Sequence, residues 1–401
     1  MGPLAGVRIA DFTWVWAGPH ATLQLAHLGA EVIRVEAVQR PCVTRLLPPW
    51  PDGQPGVNRS GYFNQFNQGK RSVALDLKTP EGLELARRLV ACSQVVTENF
   101  AAGVMDRLGL GYEDLRAIKP DIVMVALSGY GATGPEHEFV SYGPAQVPLS
   151  GMSSLTGYRD WPPMHVGISY GDPNGGVHGA FAVLAALWHH ARTGEGQYVD
   201  LSQWETGMAV LAEGLMDQSM NGHAPARDGN RDPHMAPHGI FRAAGDDRWI
   251  AIAVRTDEEW HRLADVMGVA AADRDRFTTL AARKADENTI EALVGAWTTT
   301  RTTEELTTLL QRAGLAAAPA MTNQDIHDDP HLRERGFFVE LEHPEVGVRR
   351  HLGIPWTMSG TPCAVTRPAP CLGEATDYVL GELLGLDAAA RADLRARGIV
   401  A

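Results

Sequence analysis

One carboxylate stands out for the glycines around it. Asp172 lies in Gly167–Gly176 (GISYGDPNGG), between irregular chain and a helix predicted to begin near Val177. Two readings compete. An aspartate just ahead of a helix can cap it, accepting backbone N–H bonds and complementing the helix dipole. For a lone aspartate that is the default. The same carboxylate can instead act as a nucleophile. Gly171, Gly175 and Gly176 leave bare backbone on both sides of it, where a bulky ligand can come close. Nearby N–H groups can then stabilise an oxyanion.

Other segments carry weaker signals. Trp14–Pro19 (WVWAGP) follows the first predicted strand, and a strand-to-helix turn is where α/β folds bind phosphates. It is not GxGxxG, so the dinucleotide fingerprint is absent, and on spacing alone plain helix packing against the sheet is the favoured reading. Asn67–Ser72 (NQGKRS) places Lys70 and Arg71 side by side before a strand, as a phosphate site or a solvated surface pair. Arg107 is open to the same two readings. The four cysteines, Cys42, Cys92, Cys363 and Cys371, form no CxxC pair. No metal site is expected, and scattered thiols fit a reducing, cytoplasmic setting.

The elements that must position these residues alternate. Strands are predicted at Val7–Phe12, Glu31–Val35, Arg71–Leu77, Gln94–Thr97, Ile122–Leu127 and Gln197–Leu201. Helices are predicted at Gly18–Leu28, from Thr79 to about Ala91 with Thr79 as cap, and at Gly179–Arg192. Such alternation implies βαβ units, a parallel sheet and helices on both faces. The stretch Ser141–Gly176 is long and irregular, a pattern that is usually functional or disordered. From about Leu215 the texture changes. Asn221–Pro237 reads as loop, Trp249–Val254 as a strand, and Glu258–Met267, Asp286–Trp297 and Thr303–Ala313 as helices. The expected organisation is an N-terminal large-domain part (1–215), a smaller domain (216–328) and a C-terminal return (329–401).

Length and composition bound the rest. A chain of 401 residues is expected to hold two domains. Its net charge of −13 repels nucleic-acid phosphates, so nucleic acid is not an expected partner. The N-terminus has no signal-peptide pattern. The longest apolar run, Ala180–Trp188, is too short to span a bilayer, so no membrane partner is expected.

Taken together, the segments resemble the family III CoA transferases, the CaiB/BaiF family. The matching strings are Gly6–Phe12, Ala17–Pro19, Leu28–Glu36, Asn67–Lys78, Thr79–Gly82, Glu98–Phe100, Gly103, Asp106–Gly109, Ser128–Gly131, Thr193–Gln197 and Leu383–Gly385. Each is weak alone, but their order and spacing are specific. The resemblance implies an α/β fold in which a Rossmann-like large domain is built from both chain ends and a smaller α/β domain is inserted. It also implies an interlocked homodimer. A local patch must then attract the anionic CoA against the overall charge.

By position, the resemblance makes Asp172 the catalytic carboxylate. It would attack an acyl-CoA thioester, pass through a mixed anhydride to an aspartyl-CoA thioester, and hand CoA to a carboxylic acid. Covalent capture splits one difficult exchange into easier steps. CoA is thus substrate, and no permanently bound cofactor is expected. The implied CoA contacts are Trp16, Ala17, Leu75, Lys78, Asn99, Phe100, Ala101, Arg107, Phe139 and Tyr142. Lys78 and Arg107 would pair with phosphates, and Leu75 and Phe100 would lie near adenine. Family members often carry a basic residue where this chain has Ala37, which leaves Arg34 and Arg40 as stand-ins.

Two alternatives accompany this reading. Racemases of the family pair the aspartate with a histidine, but that place holds Tyr142, whose phenol is a poor base at neutral pH (pKa about 10). His137, His165 and His178 lie near in sequence. A non-catalytic CoA-binding protein is the second alternative. Members using formate and oxalate can carry a glycine-rich lid, and the corresponding Pro233–Gly239 (PHMAPHG) lacks those glycines. Trp14, Trp16, Tyr142, Met164 and Tyr170 can form a bulky apolar acyl pocket or simply pack a core. A medium-sized or aromatic acyl group is therefore expected. His234 and His238 are either loop residues or face the acceptor carboxylate.

Overall fold

Both faces of the central sheet are covered, which is why its strands read as near-continuous apolar runs. The structure is a computed structural model that describes residues 2–401. Strands β1 (Arg8–Asp11), β2 (Glu31–Glu36), β3 (Arg71–Ala74), β4 (Val95–Glu98), β5 (Val123–Ser128) and β6 (Gln197–Ser202) are joined in the order β3-β2-β1-β4-β5-β6. All five pairings are parallel. Successive side chains point to opposite faces. Ile9, Val32, Val95 and Val123 pack against Ala21 and Leu25 of α1 (Ala17–His27), and against Ala180 and Val183 of a long helix described below. Their neighbours Ala10, Ile33, Val96 and Met124 pack against Leu85 and Leu89 of α2 (Pro80–Ala91). Thr79 caps α2 as expected, its hydroxyl accepting from Gly82 N–H at 3.0 Å.

The strand order reverses between β1 and β4. In open α/β sheets the crevice beyond the carboxyl ends of the strands at this reversal is the favoured ligand site. Here it is flanked by the turn after Asp11 and the turn after Glu98.

The chain forms two units. The first comprises the chain up to Ser153, His165–Ala224 and Leu332–Ala401. Its C-terminal part returns to the sheet: Ala375 N–H donates to Ser72 O at 2.9 Å, and the Tyr378 hydroxyl donates to Glu31 at 2.6 Å. Val379 and Leu380 join the core. Buried Arg45 locks the same region, forking onto Glu36 at 2.9 and 2.8 Å and donating to Pro370 O at 3.1 Å. The hairpin Phe338–His343 with Gly347–Leu352 also belongs to this unit.

The second unit comprises Ser154–Met164 and Pro225–His331. The first of these lies inside the irregular stretch expected to sit with the N-terminal part. An antiparallel sheet (His238–Arg242, Trp249–Ala253, Ala316–Pro319) is packed by helices Asp257–Met267, Glu287–Thr298 and Thr303–Arg312. Trp260, Leu263, Ile290, Val294, Leu306 and Leu310 form its core. Among the described residues, no helix is long and apolar enough to cross a membrane.

Candidate active site

The turn that leaves β1 is held from several directions. Asn99 Oδ1 accepts the Trp14 N–H at 2.6 Å, and its Nδ2 donates to the Trp14 carbonyl at 2.8 Å. Val15 has φ of 61°, a left-handed conformation that a β-branched residue seldom adopts. Such strain persists where neighbours over-determine it. The Val15 N–H is met by Cys42 Sγ at 3.3 Å. Beneath the turn, buried Asp11 accepts from Thr13 N–H at 2.9 Å and from the Thr22 hydroxyl at 2.8 Å. Lys70 completes this support. It donates to Pro19 O and Asn67 Oδ1, both at 2.9 Å, and lies 3.5 Å from Asp11. Burial brings its ammonium down to about 7. The phosphate reading of the Lys70–Arg71 pair is therefore overturned. Lys70 is sealed under α1, and Arg71 lies over the Tyr378 ring at 4.1 Å and bridges Glu31 at 3.2 Å.

Asp172 is reached from the other side of the same turn. The irregular chain ends earlier than expected: α4 runs from Gly171 to Thr193, so Asp172 sits inside its first turn. Pro173 is tolerated there because the first N–H groups of a helix have no partner within it. Glycine's poor helix propensity hid this start, and tertiary packing overrides it. The capping reading fails in detail, since no side-chain cap bond is made at this terminus. The carboxylate instead faces the backbone N–H of Ala17, the first residue of α1, which favours its charged form. Burial outweighs that effect and raises its pKa to about 6.

The glycines serve close packing rather than open backbone. A Cβ at Gly176 would lie 2.7 Å from the Ala17 carbonyl oxygen. One at Gly179 would lie 2.3 Å from the Leu127 side chain, and one at Gly175 would lie 3.0 Å from Gln203. These residues let α4 press onto α1 and β5, which brings Asp172 to Ala17. Gly143 is closer still to the chemistry: a Cβ there would stand 1.7 Å from Asp172 Oδ2. It opens the short helix α3 (Gly143–Leu149), whose N-cap is Tyr142.

Residues absent from the sequence reading complete the surroundings. Trp16 packs edge-on to Tyr62 at 5.6 Å and against Phe66 at 5.1 Å. Burial, together with the charge of Asp172, raises the Tyr62 phenol, which therefore stays protonated as a donor. His20, one turn along α1, is kept neutral by burial and by Lys70, its pKa lowered to about 4. The i, i+4 spacing of Tyr62 and Phe66 is the sequence signal that marks a shared helix face.

The implied CoA contacts divide into groups. Trp16 and Ala17 adjoin Asp172, and Tyr142 precedes the glycine that touches it. Asn99 is engaged by Trp14 through both its amide atoms, so its clear role is to clamp the turn. Phe100 lies 6.3 Å from the Trp14 ring, and Ala101 follows it. Lys78 and Arg107 are exposed beyond the carboxyl ends of β3 and β4. Phe139 is exposed and packs edge-on to Tyr130 at 5.7 Å. The side chain of Leu75 is buried in the core cluster that holds Phe12, Val35 and Val400, which leaves its backbone to meet a ligand. Of the possible stand-ins for Ala37, Arg34 is fully buried and bridges Glu36 at 3.3 Å.

No histidine takes the place of Tyr142. His137 and His178 bond back to nearby carbonyls at 2.7 and 2.9 Å, and His165 is exposed. In the second unit, His234 is exposed and His238 meets Asn230 O at 2.5 Å. His238 lines a cleft of about 610 Å³ whose Arg231 is already engaged by Glu291 at 2.8 and 2.7 Å. Among the described residues, no group of histidine, cysteine and acidic side chains is placed to hold a metal ion.

A model described as CoA-transferase family III matches residues 4–376 of this chain. The succinate–glutarate CoA-transferase of Agrobacterium fabrum is 36% identical over 384 residues, covering 95% of this chain and 96% of its own length. The succinyl-CoA–D-citramalate CoA-transferase of Chloroflexus aurantiacus is 32% identical, covering 99% and 98%. Among solved structures, a CAIB/BAIF family protein from Brucella suis superposes with a TM-score of 0.86 at 32% identity, covering 95% of this chain and 99% of its own.

Proposed function

This chain belongs to CoA-transferase family III, and we propose that it moves CoA from an acyl-CoA donor to a carboxylic acid through a thioester on Asp172. The observation that carries the reading is the setting of that carboxylate. It is buried, raised to about 6 and faces a backbone N–H at the head of α1, beside the strand-order crevice. Near neutral pH it is still mostly ionised, and its raised basicity makes it a better nucleophile than an exposed carboxylate.

The steps balance as follows. Asp172 attacks the thioester carbonyl, the C–S bond breaks, and CoA leaves as thiolate. The thiolate attacks the aspartyl carbonyl of the mixed anhydride and expels the first acid as its carboxylate. The acceptor carboxylate then attacks the aspartyl-CoA thioester, and the steps run in reverse. We assign to the Ala17 N–H, which faces the resting carboxylate, the stabilisation of charge on oxygen as it develops, and the Tyr62 phenol, which feels the charge of Asp172, is a second donor for that role.

The aromatic wall of Trp16, Tyr62 and Phe66 supports an acyl group larger than formyl. The similar proteins from A. fabrum and C. aurantiacus are named for succinate, glutarate, succinyl-CoA and citramalate. Four- and five-carbon dicarboxylates are therefore the first acids to assay, ahead of aromatic ones. We also infer a homodimer. Val177, Phe181 and Trp188 form an exposed apolar stripe on α4, and Leu215, Met216 and Met220 are exposed on helix Ala212–Asn221, which buries no residue. Exposed patches of this kind mark association surfaces.

The test is substitution of Asp172 by Asn with succinyl-CoA and a panel of acids. Loss of transfer with CoA binding retained is expected, and undiminished transfer contradicts the reading. Exchange of the α-hydrogen with solvent deuterium, without transfer, points to the racemase alternative, against which Tyr142 already speaks.

A further inference from the structure

The aromatic wall beside Asp172 holds two hydrogen-bond donors that find no partner among the described residues. The first is the Trp16 indole N–H, which is covered and unpaired. An indole nitrogen can only donate. The second belongs to His20, whose backbone N–H donates to the Trp16 carbonyl at 2.7 Å, so the two residues stand on one face at the head of α1. Both rings pack on Phe66 of helix Gly61–Phe66, Trp16 at 5.1 Å and His20 at 5.7 Å. His20 Nε2 lies 3.5 Å from Gln24 Nε2, which donates to it. The ring is held neutral by burial, so its one proton sits on Nδ1, and Nδ1 is also covered and unpaired.

His20 also meets α4. A Cβ at Gly176 would lie 2.9 Å from the His20 side chain, and Gly176 stands one helical turn, about 6 Å, along α4 from Asp172. A covered N–H without a partner is costly, and a ligand that brings an acceptor removes the cost. The rings of Trp16, His20, Tyr62 and Phe66 all keep some exposure, which gives an acyl chain a way in between them. A four-carbon acyl chain spans about 4 Å between its end carbons, and a hydrogen bond adds about 3 Å. An acid group at the far end of an acyl group attached at Asp172 therefore comes level with His20. We propose that His20, with the Trp16 indole beside it, is the specificity-determining residue of the acyl pocket and holds the free carboxylate of a dicarboxylic acyl group. The assignment rests on the reading of Asp172 as the transferase nucleophile.

The test compares succinyl-CoA with butyryl-CoA, an ester of equal length that ends in a methyl group. Both are assayed as donors with wild type, His20→Phe, His20→Ala and His20→Gln, and melting curves confirm that each variant is folded. The readout is the ratio of the two kcat/KM values, from which a general loss of activity cancels. Wild type is expected to favour succinyl-CoA. His20→Phe is expected to lower that preference about tenfold or more, chiefly through KM for succinyl-CoA. His20→Ala supplies the same comparison if the larger ring prevents folding. His20→Gln keeps a donor and is expected to retain part of the preference. A preference that is the same in wild type and in the folded Phe or Ala variant overturns the assignment, as does a wild type that takes both esters equally well. Transfer from neither ester by wild type overturns the transferase reading itself, and the assignment with it.

Discussion

The carboxylate of Asp172, in the first turn of one helix, faces the N–H of Ala17, the first residue of another. Two helix N-termini thus converge on one acid. Both helix dipoles favour its ionised form, while burial favours the neutral one, and burial prevails.

That balance sets a pH dependence. Attack requires the ionised form, and the folded pKa is about 6 against an ordinary 3.8. The first half-reaction should therefore lose activity on the acid side with a midpoint near pH 6, falling about tenfold per pH unit below it. The stability consequence has the opposite sense. A carboxyl whose folded pKa is raised favours folding while protonated. That contribution is complete below the unfolded pKa and is lost as pH rises through about 6. Asp172→Asn should accordingly melt at a higher temperature than wild type at pH 8, by a margin that shrinks towards pH 4. The full difference corresponds to about 3 kcal/mol. A pH-rate profile and melting curves at the two pH values check both statements.

Gly143 and Gly176 should tolerate no side chain, for different reasons. A methyl at Gly143 meets Asp172 Oδ2 itself at 1.7 Å. Gly143→Ala should displace the carboxylate and cut transfer by at least tenfold while the chain stays folded. A methyl at Gly176 meets the Ala17 carbonyl oxygen at 2.7 Å, and backbone yields less readily than a side chain. Gly176→Ala should cost about 1–3 kcal/mol of stability as α4 is forced off α1, and transfer should fall with it. Chemical denaturation and initial rates separate the two cases.

Asn99 holds Trp14 by two hydrogen bonds. Asn99→Ala should free a turn that includes the strained Val15, leaving the Trp14 peptide groups without these partners. A loss of about 1–3 kcal/mol is expected. It should be read as a lowered melting temperature, with a raised KM for the CoA ester because the turn leads into Ala17, whose N–H faces Asp172. An unchanged KM and an unchanged melting temperature would show that the turn keeps its shape without the clamp.

The homodimer proposal is tested on the exposed stripe of α4. Phe181→Glu combined with Trp188→Glu should convert a dimer into a monomer in light scattering coupled to gel filtration. A wild-type chain that elutes as a monomer at micromolar concentration contradicts the proposal.

Much of the fold was legible because periodicity and capping are local. The positions of the six parallel strands, the threonine cap of α2 and its length follow from spacing that the sequence displays, whereas the strands His238–Arg242, Ala316–Pro319 and Phe338–His343 did not stand out. What was hidden depends on distant partners. The start of α4 at Gly171 is set by packing on Ala17, about 150 residues away in the chain, against the local propensity of four glycines. Lys70 reads like a surface cation until Asp11 and Pro19 close over it. The burial of the Leu75 side chain depends on the return of Val400 beside it, a partner far along the chain. Tyr62 and His20 carry no motif by themselves and gain meaning only through their neighbours.

The central claim is that CoA becomes covalently attached to Asp172. The direct measurement is intact-mass spectrometry of the chain mixed with succinyl-CoA and quenched in acid, followed by peptide mapping. The account predicts a species heavier by CoA less one water, located on the peptide holding Asp172 and absent from Asp172→Asn. Borohydride treatment should abolish the adduct by reducing its thioester. Active enzyme that transfers CoA to an acid while no adduct accumulates on that peptide at any time, including with the acceptor omitted, would contradict it.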